Sequence, residues 1–141
     1  MEVKLKKELQ EKIFEAYPNI FRQKDLPQTQ TAMCRGISCG DGWYTIINEL
    51  CANIQNHVIN ENRNNPEEDN MICEALQVKE KFGGLRFYIH GGDDFIKGLV
   101  SLAESLSYRT CSECGNKSTQ NKKNRGWVHT LCDTCRKQKL N

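Results

Sequence analysis

Four cysteines near the C-terminus form two C-x-x-C pairs, and their spacing constrains the fold more than any other feature of the chain. Cys111 and Cys114 make the first pair, and Cys132 and Cys135 make the second pair 17 residues later. Gly115 follows the first pair directly, where the tight turn of a metal knuckle favours a positive φ. Four thiolates at this spacing suit one closed, tetrahedral Zn²⁺ site, which contributes folding energy rather than catalysis. We therefore predict one structural zinc site on these four cysteines.

The chain around these pairs predicts a small metal-binding module. Residues 122–130 are typical of a turn followed by a strand that returns to the metal, and residues 135–140 are typical of a short helix. A knuckle, a hairpin and a helix that carries the last ligands make the treble-clef arrangement, and a zinc ribbon is the close alternative. We predict a zinc-binding module at 109–141, attached to a body at 1–108. His129 is an alternative fourth ligand, and a redox dithiol pair is an alternative role for the cysteines.

The remaining four cysteines are Cys34, Cys39, Cys51 and Cys73. The first residues lack a signal-peptide core, and no apolar run approaches the ~20 residues that cross a bilayer. We therefore expect a cytoplasmic protein without a membrane partner, in which cysteines bind metal or pack as thiols rather than form disulfides. Cys51 lies in an apolar helical stripe and reads as a buried thiol. A second metal site that includes Cys34 and Cys39 is the alternative.

The stretch from Gln77 to His90 predicts a β-hairpin, because two apolar and aromatic runs flank Gly83 and Gly84. Paired glycines tolerate the positive φ angles of a two-residue turn. The predicted pairs are Phe82/Leu85, Lys81/Arg86, Glu80/Phe87, Lys79/Tyr88, Val78/Ile89 and Gln77/His90. Side chains alternate between the faces of a strand, so one face is apolar apart from Glu80 and the other is basic. The apolar face holds Val78, Glu80, Phe82, Leu85, Phe87 and Ile89, and the basic face holds Gln77, Lys79, Lys81, Arg86, Tyr88 and His90.

The basic face of the hairpin is a candidate binding surface. Like charges that lie opposite each other across two strands disfavour the sheet by a few tenths of a kcal/mol or more. Lys79, Lys81 and Arg86 can bind phosphate or carboxylate, and Tyr88 offers a plane for stacking. Trp43, at the mouth of a predicted helix, either fills the core or walls a pocket. We predict these five residues as ligand-binding, and a solvated outer face is the alternative interpretation.

Apolar periodicity organises the rest of the body. It predicts helices over residues 2–17, from Trp43 to Val58, and over 94–107. Two strands alone make a marginal sheet, so we expect a third strand from 26–38 or 71–76. The predicted fold class is α+β, with helices packed on one face of a small antiparallel hairpin sheet and a C-terminal treble-clef or ribbon module.

Charge is unevenly distributed along the chain. Residues 109–141 carry eight Lys and Arg against Glu113 and Asp133, a net charge of +6, whereas the remaining residues carry 12 basic and 16 acidic side chains, a net charge of −4. Such an asymmetry predicts either an acidic partner for the basic tail or contact between the tail and the acidic body.

Sequence signatures of catalysis are missing. The phosphate loop, the dinucleotide glycine fingerprint, the His-Glu-x-x-His motif and the zinc-deaminase signature do not occur. Glu80, His57, His90 and His129 are scattered candidates without a nucleophile–base pair at a telling spacing. We therefore expect a protein that binds rather than catalyses.

The order of several motifs resembles a group of small proteins of uncharacterised function from bacteriophages and bacterial genomes. The motifs are Gly40-Asp-Gly-Trp43, the stretch from Gln77 to Tyr88, Ala103-Glu104 with a following serine, Cys111-x-x-Cys114-Gly, Gly126-Trp127 and Thr130-Leu-Cys-x-x-Cys135. They span about residues 40 to 135. The resemblance implies a mobile-element setting, in which small proteins bind a host protein, nucleic acid or a nucleotide signal of host defence. It also implies that the basic hairpin is a hallmark of the group.

These observations together predict a zinc-stabilised, non-enzymatic binding protein of the host-cell cytoplasm. Its partner would be a nucleotide or a nucleic acid, held by the basic face of the hairpin. The alternative is a protein–protein inhibitor or adaptor that acts on a host defence protein.

Overall fold

A computed structural model describes residues 3–118, 122–124 and 127–140. The regular elements are α1 (Lys7–Ala16), β1 (Ile37–Ser38), α2 (Tyr44–Asn62), β2 (Cys73–Lys81), β3 (Gly84–Gly91), α3 (Asp94–Ser107), β4 (Lys122–Asn124), β5 (Trp127–His129) and α4 (Asp133–Leu140). Short 3₁₀ turns lie at Arg22–Asp25, Met33–Arg35, Asp41–Trp43 and Glu67–Asp69. The chain therefore mixes helices with strands, as predicted. Among the described residues, no helix combines the length and apolar character that spanning a bilayer requires.

Three strands form the main sheet in the order β1-β2-β3. β1 runs parallel to β2, with Ile37 opposite Val78, and β3 runs antiparallel to β2. The third strand thus comes from the first of the two predicted segments, 26–38. The second candidate, 71–76, instead lengthens β2 at its N-terminal end.

The hairpin forms, but the predicted pairing is wrong by two residues. Its turn is made by Phe82 and Gly83, with φ of 53° and 79°, and Gly84 is the first residue of β3. Positive φ at both central positions is the requirement of a type I′ turn. The observed pairs are Lys81/Gly84, Glu80/Leu85, Lys79/Arg86, Val78/Phe87 and Gln77/Tyr88. A shift of two residues keeps the side chains of the two strands on their predicted faces, so the apolar and basic faces survive the correction. Phe82 is the exception, because it lies in the turn and is 64% exposed instead of facing the core.

Gly84 explains why the turn is displaced. A Cβ on Gly84 would lie 2.4 Å from the hydroxyl oxygen of Tyr108, which crosses the strand at this point. Gly84 therefore permits the close approach of a side chain instead of making the turn. Beyond it, a bulge between Ala75 and Gln77 shifts the register again, so that Ala75 pairs with Ile89.

The buried core joins side chains of the sheet with side chains of the helices. The fully or nearly fully buried side chains include Ile13, Phe21, Met33, Trp43, Ile47, Ile54, Val78, Leu85, Phe87 and Ile96. Trp43 has no exposed surface, and its indole N–H donates to the carbonyl oxygen of Thr110 at 2.8 Å. Of its two predicted roles, this burial favours the core.

The three predicted helices are present with adjusted ends. α1 begins later than predicted, at Lys7, and α2 continues to Asn62. α3 has its predicted bounds, because the side chain of Asp93 accepts a hydrogen bond from the Ile96 N–H at 3.0 Å and so caps its first turn.

Candidate functional site

The four predicted metal ligands converge on one point. The Sγ atoms of Cys111, Cys114, Cys132 and Cys135 all lie within 4.8 Å of one another, and those of Cys114 and Cys132 are 3.7 Å apart. Four thiolates around a zinc ion at ~2.3 Å would place their sulfur atoms about 3.8 Å apart. The cluster is thus a plausible single structural metal site. Within the described ranges, no other group of three or more His, Cys, Asp or Glu side chains gathers in this way.

Backbone N–H groups point at the sulfur atoms. The N–H of Asn116 donates to Cys114 Sγ and the N–H of Cys135 donates to Cys132 Sγ, both at 3.4 Å. Gly115, with φ of 84°, donates its N–H to the Cys111 carbonyl at 2.9 Å and closes the first knuckle. Such contacts fix the orientation of the ligands and stabilise negative charge on sulfur.

The surroundings of Cys111 and Cys135 shift the pKa values of their thiols in opposite directions. Burial opposes ionisation of Cys111, but hydrogen bonds from the backbone N–H groups of Cys132, Cys114 and Glu113 lower the pKa of its thiol to about 7. Burial, followed by hydrogen bonds with the neighbouring sulfurs, raises the pKa of Cys135. Backbone N–H groups therefore favour ionisation of Cys111, whereas burial disfavours ionisation of Cys135. A divalent cation would replace the thiol protons.

The first knuckle packs against the chain just before α2. Gly42 donates its N–H to the Ser112 carbonyl oxygen at 2.9 Å. A Cβ on Gly40 would lie 2.0 Å from that same oxygen, and a Cβ on Gly42 would lie 2.0 Å from the Cys111 carbonyl oxygen. The Gly-Asp-Gly motif is therefore a docking surface for the metal knuckle. The sequence showed only the start of a helix there, although two glycines around one aspartate were a signal of close approach.

The chain before the second cysteine pair contacts the hairpin. The hydroxyl of Thr130 donates to the Gly83 carbonyl at 2.6 Å, and the Thr130 carbonyl accepts from the Ser112 N–H at 2.9 Å. His129 Nδ1 lies 3.2 Å from Glu80 Oε2. Glu80 is thus the partner of a histidine in the cysteine module. Its second oxygen is buried and has no hydrogen bond within the part of the chain that the structure describes.

Only part of the basic face of the hairpin is available to a ligand, because Arg86 already has partners within the protein. Arg86, which lies opposite Lys79, donates to Glu104 and, at 3.2 Å, to the Tyr108 hydroxyl, both from the C-terminal half of α3 or just beyond it. Burial favours the neutral form of Arg86, but the contacts with Tyr108 and Glu104 outweigh it and raise the pKa of the guanidinium. The charge of Arg86 is therefore already compensated inside the protein, and its role in ligand binding stays a prediction.

Lys79, Lys81 and Tyr88 remain available on the same face. Neither lysine forms an ion pair with any residue that the structure describes, and Lys81 Nζ lies 5.6 Å from the centre of the Phe82 ring. The Tyr88 side chain is 42% exposed, and His90, two residues further along β3, is also exposed. We call Lys79, Lys81, Tyr88 and His90 the hairpin surface.

Two cavities lie away from the residues of the hairpin surface. One of about 250 Å³ lies between the end of α2 and residues 70–74, and one of about 480 Å³ lies between α1 and residues 33–36. Neither is lined by a residue of the hairpin surface. The predicted binding residues therefore do not line either of these two cavities.

The other cysteines do not assemble a second site among the described residues. Cys39, Cys51 and Cys73 are buried, whereas Cys34 is exposed. Burial raises the pKa of Cys39 to about 12 and that of Cys73 to about 11, and it raises the pKa of Cys51 as well. These three are packed, protonated thiols, as the sequence predicts for Cys51.

Comparison of the chain with protein-family models, curated proteins and solved structures gives no match. The grouping with phage and bacterial proteins that the motifs suggest therefore has no support from these comparisons.

Proposed function

We propose that this protein is a zinc-stabilised, non-enzymatic binding protein that holds nucleic acid on its hairpin surface. The zinc assignment follows from ligand chemistry, because four thiolates at tetrahedral distances favour Zn²⁺ in a site that leaves no coordination position open. The order of elements supports a treble-clef module. A knuckle is followed by the β4–β5 hairpin, and the second cysteine pair lies at the start of α4.

The observation that carries the binding proposal is the pair of lysines beside an exposed aromatic ring. Lys79 and Lys81 lie on one face of β2, and Tyr88 lies on the same face of β3, opposite Gln77. Lys79 also lies opposite Arg86, whose charge Glu104 already balances, so Lys79 and Lys81 are the cations of this face that would meet phosphate groups. The ring of Tyr88 would stack on a base.

The shape of this surface favours nucleic acid over a single nucleotide. A nucleotide site needs a concave pocket that encloses most of the ligand. Trp43, one of the two residues predicted to wall such a pocket, is buried in the core. An extended strand needs only a basic track with stacking platforms. The net charge of +6 on residues 109–141 adds a long-range attraction for a polyanion.

Fluorescence anisotropy with a labelled single-stranded oligonucleotide tests the proposal. The double variant Lys79→Glu/Lys81→Glu should weaken binding and reduce the slope of log K against log salt by about 1.4, because each lost phosphate contact on a single strand removes about 0.7. The matched control is Lys12→Glu/Lys97→Glu, which changes the net charge equally at two exposed lysines of α1 and α3. Equal losses in the two variants would reject the hairpin surface as the site.

The same two variants, assayed for binding to a host protein, distinguish the alternative function. A protein–protein inhibitor or adaptor would bind a specific host protein with an affinity that charge reversal on the hairpin leaves unchanged. The phage or mobile-element setting is part of the proposal, and it rests on the motif resemblance alone.

A further inference from the structure

A stripe of apolar side chains on α3 is exposed. Phe95, Leu102 and Leu106 are 56%, 58% and 47% exposed, and Leu99 lies between them in the stripe. Phe95 stacks on the His57 ring at 4.3 Å between centroids, so its position is fixed from within the chain. The spacing of four, three and four residues is the alternation of apolar positions along a helix–helix seam. The stripe is therefore built like a packing surface, although no described element covers most of it.

Gly98 gives a second, independent observation at this stripe. It lies in the interior of α3, and a Cβ placed on it would meet nothing within 4 Å. Glycine inside a helix costs about 0.8–1 kcal/mol relative to alanine. Contacts within the described chain do not require a glycine at this position. A missing side chain beside an apolar stripe allows another backbone to approach closely.

We propose that the α3 stripe is the contact between two copies of this chain, packed as antiparallel helices around a two-fold axis. This arrangement places Phe95 against Leu106 of the partner copy and Leu99 against Leu102 of the partner copy. The stripe is self-complementary, because a two-fold axis exchanges its two ends and both ends carry large apolar side chains. Gly98 then lies beside the seam, where the two helices pass each other.

Charge complementarity supports a second copy in antiparallel orientation. Asp94 lies in the first turn of α3 and Arg109 lies just beyond its last turn. Neither has an ion-pair partner among the residues that the structure describes. Antiparallel packing brings Asp94 of each copy to Arg109 of the partner copy, whereas parallel packing would bring like charges together. Helical geometry places Lys97 and Glu104 on the side away from the stripe, and Glu104 is already bound to Arg86.

The area of the contact determines how strongly we expect the two copies to associate. The stripe runs for 12 residues of helix, from Phe95 to Leu106, which is about 18 Å. A single helix pair of this length falls below the ~1,200 Å² of a standard interface, so we expect weak, concentration-dependent association.

Sedimentation of the full-length, zinc-loaded protein from about 1 µM to about 200 µM, the range in which such small interfaces associate, tests the proposal. We expect a monomer–dimer equilibrium that Leu102→Glu weakens by about 30-fold or more, as for the loss of a central apolar anchor. Leu26→Glu is the matched control, because Leu26 is exposed outside the stripe. A monomer throughout the range, or equal weakening by both variants, would overturn the proposal.

A charge exchange tests the orientation. Asp94→Arg and Arg109→Asp should each weaken the dimer, and the double variant should restore it, because each new pair again joins opposite charges across the two-fold axis. Circular dichroism would confirm that each variant keeps its helix content. A dimer that both single variants weaken and the double variant fails to restore would overturn the antiparallel arrangement.

Discussion

Replacing Gly42 with alanine should destabilise the protein through the joint between its body and its metal knuckle. The new Cβ would lie 2.0 Å from the Cys111 carbonyl oxygen and 2.6 Å from the Gly115 nitrogen, which are both backbone atoms of the knuckle. The knuckle would have to retreat by about 1.4 Å to reach an ordinary contact of 3.4 Å. Gly42 also donates its N–H to the Ser112 carbonyl, and that hydrogen bond would stretch with the displacement.

The expected loss in the free energy of unfolding follows from the close contact and the stretched hydrogen bond. Overpacking of a close contact costs about 1–3 kcal/mol, and loss of a backbone hydrogen bond costs about 1 kcal/mol, so we expect Gly42→Ala to lower the free energy of unfolding by about 2–4 kcal/mol. Gly98→Ala is the matched control, since its Cβ meets nothing within 4 Å. It should raise the free energy of unfolding by about 0.5–1 kcal/mol, because alanine favours the helix.

Urea denaturation followed by circular dichroism measures both variants, at a protein concentration below any self-association. A chelator that reports released zinc should also extract the metal faster from Gly42→Ala than from the parent protein. If Gly42→Ala unfolds at the parental urea concentration with parental zinc release, the metal knuckle does not dock on this segment and the packing described above is wrong.

Three further outcomes are expected. Cys114→Ser removes a ligand and should lower zinc affinity by more than the ~100-fold that loss of an outer-shell partner costs, as measured by competition with a chelating dye; unchanged affinity would exclude Cys114 as a ligand. Tyr88→Ala should weaken oligonucleotide binding by about 1–3 kcal/mol in anisotropy while leaving the urea midpoint unchanged, and parental affinity would show that the ring does not stack. Hydrogen bonds from His57 and the Ile96 N–H lower the pKa of Asp93 from 3.8, so its contribution to stability is present above pH 3.8 and is lost as the pH falls through the lowered value. The free energy of unfolding of Asp93→Asn, measured by urea denaturation, should therefore fall less steeply as the pH drops below 3.8 than that of the parent protein. The same pH dependence in both proteins would contradict this role.

The features that the sequence predicts well are local ones. The spacing of the two cysteine pairs specifies which four thiols meet, because each knuckle is made by consecutive residues. The N-cap of α3 is equally local, since the Asp93 side chain binds a backbone N–H only three residues later. Short-range geometry is sufficient for both predictions.

Contacts between distant segments determine the features that the sequence misplaced or left open. Gly83 and Gly84 resemble a two-glycine turn, but Gly84 leaves room for Tyr108, which is 24 residues further along the chain. The sequence around Arg86 does not show that the side chain pairs with Glu104 of α3. Trp43 reads as either core or pocket wall, and its indole finds its acceptor in Thr110, at the edge of the metal module. None of these partners can be identified from the residues next to each position.

The central claim is that the hairpin surface binds nucleic acid, and an amide NMR titration of the zinc-loaded protein with an unlabelled single-stranded oligonucleotide tests it most directly. We expect the largest shifts at Lys79, Lys81, Tyr88 and His90, and we expect them to decline as salt is added. Shifts confined to α1 or α3, or a spectrum that the oligonucleotide leaves unchanged, would contradict the claim.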